Sequence, residues 1–169
     1  TAFRALWYLQ PADGAGAADL TSRNSMTHTP LVRLEFASAF DMLDFVQVVS
    51  DHVGRYTGLD DDALHWVSVA VRESVVNAIN HGNRSDRSKR VTVEFESQPA
   101  DRMTIRVSDQ GEGFDPEEVA DPLAPENIMK SSGRGIFLIR NFMNEVSIHR
   151  SPGGGMEVRM MKKVASAEP

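Results

Sequence analysis

The chain has no cysteine among its 169 residues. This removes disulfides, thiolate metal sites and thiol nucleophiles, and it suits a reducing compartment, so a cytoplasmic address is expected. Long apolar runs are missing too. No stretch approaches the roughly 20 residues of a membrane-spanning helix, and no membrane partner is expected. Nor is there a basic excess: 18 Lys and Arg stand against 24 Asp and Glu, a formal net charge of -6. A chain of that sign is poorly suited to a groove that neutralises phosphates along a strand, so no direct nucleic-acid partner is expected.

What is present is globular in character. With 41% hydrophobic and 25% charged residues, the chain is long enough for one good core and too short for two full-sized domains. The expected organisation is an appendage over 1–29, one domain over 30–165 and a tail over 166–169. The first 29 residues join a short apolar patch, an Ala/Gly-rich stretch and the polar "TSRNSMTH", with no sustained period. The patch is about five residues long where a secretion signal needs roughly 7–15, so that reading is rejected. Met26 offers an alternative start that would leave the preceding residues extraneous to the fold.

From Pro30, "PLVRLEFAS" alternates as a half-buried strand with Val32, Leu34 and Phe36 on one face, and it is expected at a sheet edge. Phe40, Leu43, Val46, Val49 and Val53 then recur at helical spacing up to a stop at Gly54 to Gly58. A second helix should begin near Asp60 to Asp62, whose carboxylates suit the positive end of a helix dipole, and run to His81-Gly82. "RVTVEFES" and "RMTIRVSD" alternate with period two around "QPAD" and predict a hairpin. Gln110 to Ser132 reads as a long loop. "GRGIFLIRNFMNEV" reads as a helix, and "VSIHRS" and "MEVRMMKK" as strands around "PGGG". This order gives an α+β fold, a two-layer sandwich with helices on one face of a mixed, mainly antiparallel sheet.

Three constellations could carry chemistry. In "VRESVVNAINHGN", Glu73, Asn77, Asn80 and His81 share about one quadrant of a helical wheel at ~100° per residue. Trp66, Val69 and Ala70 extend that face toward the N-terminus, so the polar stripe emerges from apolar surroundings and needs partners. A carboxylate and amides on successive turns can hold a hard divalent cation with phosphate oxygens, or form an internally satisfied seam. In "VSDQGEGFDP", Asp109 ends a strand and passes into Gly111 and Gly113, which suits a carboxylate facing a ligand's amino group and equally an ordinary turn. In "KSSGRGIFLI", Gly133 and Gly135 open a helix beside Lys130 and Arg134. That suits an anion on free N–H groups, or a plain glycine-capped start.

Together and in this order, "ESVVNAINHGN", "DQGEGFDP" and "SSGRGIFLIRNFMNEV" resemble the N, G1 and G2 boxes of the GHKL (Bergerat-fold) ATPases, and look most like the bacterial anti-sigma-factor serine kinases. The resemblance runs from about Leu31 to Lys163. It implies ATP or ADP with Mg²⁺ as ligands, Asn77 coordinating the metal, and Glu73 as the general base for an acceptor hydroxyl. It implies Asp109 accepting from the adenine amino group, with Gly111 and Gly113 lining the base pocket. Gly133, Arg134 and Gly135 would lie against the phosphates, supported by Asn80, His81 and Lys130, and 117–132 would form a lid over the nucleotide. One departure stands out: many relatives have Gly-Thr before the last strand, where this chain has Gly155-Met156. His52, His65 and His149 fall outside the motifs and are read as ordinary histidines.

The function implied is a serine/threonine protein kinase that also acts as an anti-sigma factor. Its partners would be an RNA polymerase sigma factor, a small antagonist protein with an acceptor serine, and a second copy of itself. Two other functions remain open, a nucleotide-dependent binding switch without transfer and a histidine-kinase-type catalytic domain.

Overall fold

The computed structural model describes residues 4–7, 31–113, 134–151 and 153–165. Strand β2 (Val32–Ala37) alternates as its sequence predicts, burying Val32, Leu34 and Phe36 and exposing Arg33 and Glu35. Its expected place at the sheet edge is corrected. Strand β1 (Arg4–Trp7) pairs antiparallel with it, Arg4 opposite Glu35 and Trp7 opposite Val32. A row of open N–H and C=O groups along β2 gives even a short segment a ladder to complete, and a four-residue strand is too short to show a period in sequence.

The hairpin predicted around "QPAD" forms between β3 (Arg90–Gln98) and β4 (Arg102–Ser108). A second hairpin joins β5 (Glu145–Arg150) to β6 (Met156–Lys163). The six strands lie in the order β1-β2-β3-β4-β6-β5. Every described pair is antiparallel, so the sheet is antiparallel where a mainly antiparallel, mixed one was expected. Its inner face carries Leu34, Val91, Val93, Phe95, Ile105, Val107 and Met160, none more than 2% exposed. Each such side chain contributes about 1.5–3 kcal/mol relative to an exposed one, so this face drives the sandwich together. The outer face is polar: Arg33, Glu94 and Arg106 lie across β2, β3 and β4 in register, with Arg33 Nη1 2.7 Å from Glu94 Oε1 and Arg106 also paired to Glu96.

Two helices follow β2. After a 3₁₀ turn (Phe40–Met42), α1 spans Leu43–Thr57 and buries Leu43, Val46 and Val53. It runs through Gly54, where the expected stop began, because the missing side chain there admits a neighbour: a Cβ on Gly54 would lie 2.4 Å from Leu64 Cδ2. The stop falls at Gly58, whose φ of 98° suits glycine at a helix C-terminus. Helix α2 (Asp61–Asn77) is capped by Asp60, whose side chain accepts from Ala63 N at 2.7 Å.

The third helix, α3 (Arg134–Phe142), packs beside α2, with the Trp66 and Phe142 rings stacked at 3.4 Å between centroids. Its C-terminal carbonyl at Phe142 accepts from Lys162 Nζ at 2.7 Å, a cation at the negative helix end. Asn144 ties the exit to β6, its N–H donating to Met161 O and its Oδ1 accepting from Lys163 N. These bonds tie the end of α3 to β6, and the ring stack sets the helix beside α2.

Candidate functional site

Helix α2 changes pitch where its sequence turns polar. Past Asn77 the backbone opens into a π turn over Ala78–Gly82, closed by Asn83 N donating to Ala78 O at 2.8 Å. Such widened turns recur at functional sites because they re-aim side chains without ending the helix. Asn77 and His81 both line a cavity of about 240 Å³ between α2, α3 and the inner face of the sheet. Asn80 does not line it: it is exposed, and its Oδ1 accepts from Ser85 Oγ at 3.4 Å.

The cavity is mostly apolar, walled by Val107, Ile136, Ile139, Val146, Ile148 and Val158. Asp109 stands in this wall at the tip of β4, only 8% exposed. Its Oδ1 accepts from Gly111 N at 2.8 Å and from Met156 N at 3.2 Å. Both bonds fall on one oxygen, so the second can accept from a ligand. Burial raises the Asp109 carboxyl above its ordinary value, with the N–H groups of Gly111 and Met156 opposing that shift.

Close backbone packing surrounds this carboxylate. A Cβ on Gly82 would lie 2.4 Å from Asp109 Oδ2, and one on Gly111 would lie 2.1 Å from Gly82 O. The end of α2 and the loop after β4 can therefore touch only as glycines. Gly113 lies beside them, where a Cβ would sit 3.3 Å from Met156 Sδ. Met156 itself is 3% exposed and lines the cavity, so this wall carries a thioether where the resemblance leads one to expect a hydroxyl.

Glu73 is half-buried and lies apart from the cavity lining, against the first turn of α3. A Cβ on Gly135 would stand 2.0 Å from Glu73 Oε1, so Gly135 is what lets α3 begin over this carboxylate. Arg134 opens α3. Lys130, Gly133 and the expected lid over 117–132 lie outside the described residues. Among the described residues no group of three His, Cys, Asp or Glu could hold a metal. His52, His65 and His149 are engaged elsewhere: His52 with Val48 O, His65 edge-on to Trp66, and His149 beside Glu157.

Two residues at the site escaped the sequence reading. Ser74 lines the cavity and donates from Oγ to Met160 Sδ at 3.4 Å. Asn83 is fully buried. Its Nδ2 donates to Arg90 O at 2.9 Å, and its Oδ1 accepts from Gln110 N at 2.8 Å. The available signal was "HGN" at a helix end, a place where a polar side chain commonly bonds backbone.

A sheet with helices on one face, and a cavity between a polar helix stripe and a strand-tip carboxylate, define a class. The profile of the histidine kinase-like ATPase domain matches residues 38–162, and the chain belongs to that family. Among individual proteins, it is 28% identical over 140 residues to the serine-protein kinase RsbW of Staphylococcus epidermidis, covering 79% of this chain and 86% of that one. It is 24% identical over 149 residues to the protein of the same name from Oceanobacillus iheyensis, covering 85% and 92%. In fold it is similar to the blue-light activated histidine kinase EL346 of Erythrobacter litoralis, with a TM-score of 0.50 and 14% identity, covering 73% of this chain and 42% of that protein.

Proposed function

We propose that the protein is an ATP-dependent serine/threonine protein kinase and anti-sigma factor, which phosphorylates a small antagonist protein and sequesters an RNA polymerase sigma factor. The observation that carries this reading is the one cavity that joins Asn77 and His81 of the α2 end to Asp109 at the β4 tip. A buried carboxylate acceptor in a mostly apolar slot suits a flat base with an exocyclic amino group. Adenine has that chemistry, and the serine-protein kinase relatives add the acceptor class.

In this reading Asp109 accepts from the adenine amino group while Gly111 and Gly113 let backbone approach the ring. Asn77 would hold Mg²⁺, which when bound neutralises charge on the phosphate oxygens. Gly133, Arg134 and Gly135 at the start of α3, with Lys130, Asn80 and His81 around them, would face the phosphates. Glu73 takes the proton of the acceptor serine as its oxygen bonds to the γ-phosphorus. The bond to the β,γ-bridging oxygen breaks, and ADP leaves with that electron pair. The phosphoserine formed carries about two negative charges at its new position, enough to disable the antagonist's binding surface.

The test is incubation with γ-labelled ATP and lysate of the parent bacterium. Acid-stable label on a small protein, mapped to serine, is the expected result. Nucleotide binding with no labelled acceptor would replace the kinase with a binding switch, and acid-labile label on histidine would move it to the histidine-kinase class.

The same reading includes a homodimer. With β2 covered by β1, its surface is the outer stripe of α1, where Phe45, Val48 and Tyr56 are 42%, 54% and 63% exposed. Sedimentation of the wild type should give a dimer and Val48→Asp a monomer. A monomeric wild type at tens of micromolar would end the dimer assignment.

A further inference from the structure

The geometry points to Asn83 as a positioning residue that holds Asp109 in register with the end of α2 and so sets base selectivity. The inference rests on the nucleotide reading above. Asn83 is not among the residues that line the cavity, and its side chain spends both ends on backbone. Nδ2 is anchored to Arg90 O at the first residue of β3, and Oδ1 holds Gln110 N, the peptide immediately after Asp109. Gln110 closes the loop from the other side, its Oε1 accepting from Arg90 N at 2.8 Å. The backbone N–H of Asn83 closes the π turn on Ala78 O.

One residue earlier, Gly82 is pressed against the Asp109 carboxylate, at a separation that leaves no room for a Cβ. Asn83 therefore fixes two things together: where the widened end of α2 stops, and where the strand tip carrying Asp109 lies against it. An amide is the side chain suited to the task, since it donates to one carbonyl and accepts from one N–H at the same site. Removing it takes the Asn83 partner away from Arg90 O and Gln110 N and frees the Asp109 tip to shift against Gly82. A ligand that uses Asp109 for discrimination then loses discrimination, although no nucleotide-facing atom has changed.

The test compares ADP with IDP, which carries a ring carbonyl in place of the amino group that Asp109 is read to accept. Wild type should prefer ADP by about tenfold in Kd, the worth of one well-placed hydrogen bond to a charged acceptor. Asn83→Ala, measured below its unfolding transition, should shrink that ratio to within about twofold. Val46→Ala, a core truncation on α1 outside the cavity lining, should lose stability and keep the full ratio. Asn83→Asp keeps the shape and the acceptor for Gln110 N but sets a carboxylate oxygen against Arg90 O, so its ratio should fall between those of wild type and the Ala variant. If the Ala protein does not fold, Asn83→Ser reads the same ratio.

A wild-type ratio in Asn83→Ala or Asn83→Ser overturns the positioning role and leaves the nucleotide reading standing. A wild type that binds neither nucleotide, or both equally, overturns the adenine reading itself.

Discussion

Asp109→Asn should fold as well as wild type and lose adenine-nucleotide binding. The asparagine Oδ1 can still accept from Gly111 N and Met156 N, the two bonds that hold this side chain. What changes is the other end of the group. An NH₂ replaces the free carboxylate oxygen and presents a donor where the base also presents one, which should raise the Kd for ADP by about 10- to 100-fold. At a ligand concentration of 100 Kd for wild type, binding stabilises the native state by roughly 2.7 kcal/mol. A variant 100-fold weaker gains only about 0.4 kcal/mol at that concentration. For a chain of this size the difference is a thermal shift of roughly 5–10 °C against about 1 °C.

The apo proteins should differ in the opposite sense. Burial raises the Asp109 carboxyl above its unfolded value of 3.8, so between that value and the raised one the native state binds more protons than the unfolded state. Stability contributed by this group therefore falls as pH rises through that window and stays low above it. The Asn variant lacks that slope, and at pH 7 it should unfold at or above the wild-type temperature without ligand. Unchanged ADP affinity in Asp109→Asn would remove the adenine role. A collapse of its apo stability would mean that the carboxylate is structural.

The elements with strong periods were legible. Val32, Leu34 and Phe36 on one face of β2 and the hairpin of β3 and β4 follow directly from alternation, and α1 and α2 follow from helical spacing and the Asp60 cap. Alternation is a local property that burial on one face reinforces, so it survives into the fold. Asn77 and Asp109 were legible for a related reason, since each is a polar residue at the end of an apolar pattern. A wheel at ~100° per residue assumes α geometry, and the π turn over Ala78–Gly82 turns the chain less per residue, leaving His81 at the cavity and Asn80 in solvent.

Asn83 and β1 were hidden for a different reason. Both depend on hydrogen bonds to distant backbone: Asn83 to Arg90 O and Gln110 N, and Arg4–Trp7 to β2 across more than twenty residues of chain. Neither a lone asparagine nor a four-residue strand has a period to read. Gly135 was read as a glycine at a helix mouth, facing an anion or simply capping the helix, and the structure sets the Glu73 carboxylate beside it. That proximity could not come from either motif alone, because it is made by α2 and α3 packing together through Trp66 and Phe142.

The same proximity sharpens the prediction that separates binding from transfer. Asn77 lines the cavity, whereas Glu73, one turn earlier, lies outside the lining and against the first turn of α3. A residue on the cavity wall acts when the nucleotide binds, and one at the mouth of α3 acts on whatever meets the phosphate end. Asn77→Ala should therefore weaken Mg-ATP binding and abolish phosphorylation together, since in the proposed reading its amide oxygen would hold the metal. Glu73→Gln keeps the shape that Gly135 accommodates and removes only basicity. It should bind Mg-ATP within about twofold of wild type and lose ~10²–10⁴-fold in transfer, the range for a positioned general base. Calorimetry with Mg-ATP and initial rates of serine labelling give the two numbers independently. If Glu73→Gln labels the antagonist at the wild-type rate, Glu73 is a packing partner of Gly135 and the proton leaves by another route. If it loses binding and transfer in equal measure, Glu73 belongs with Asn77 in holding the metal and phosphates.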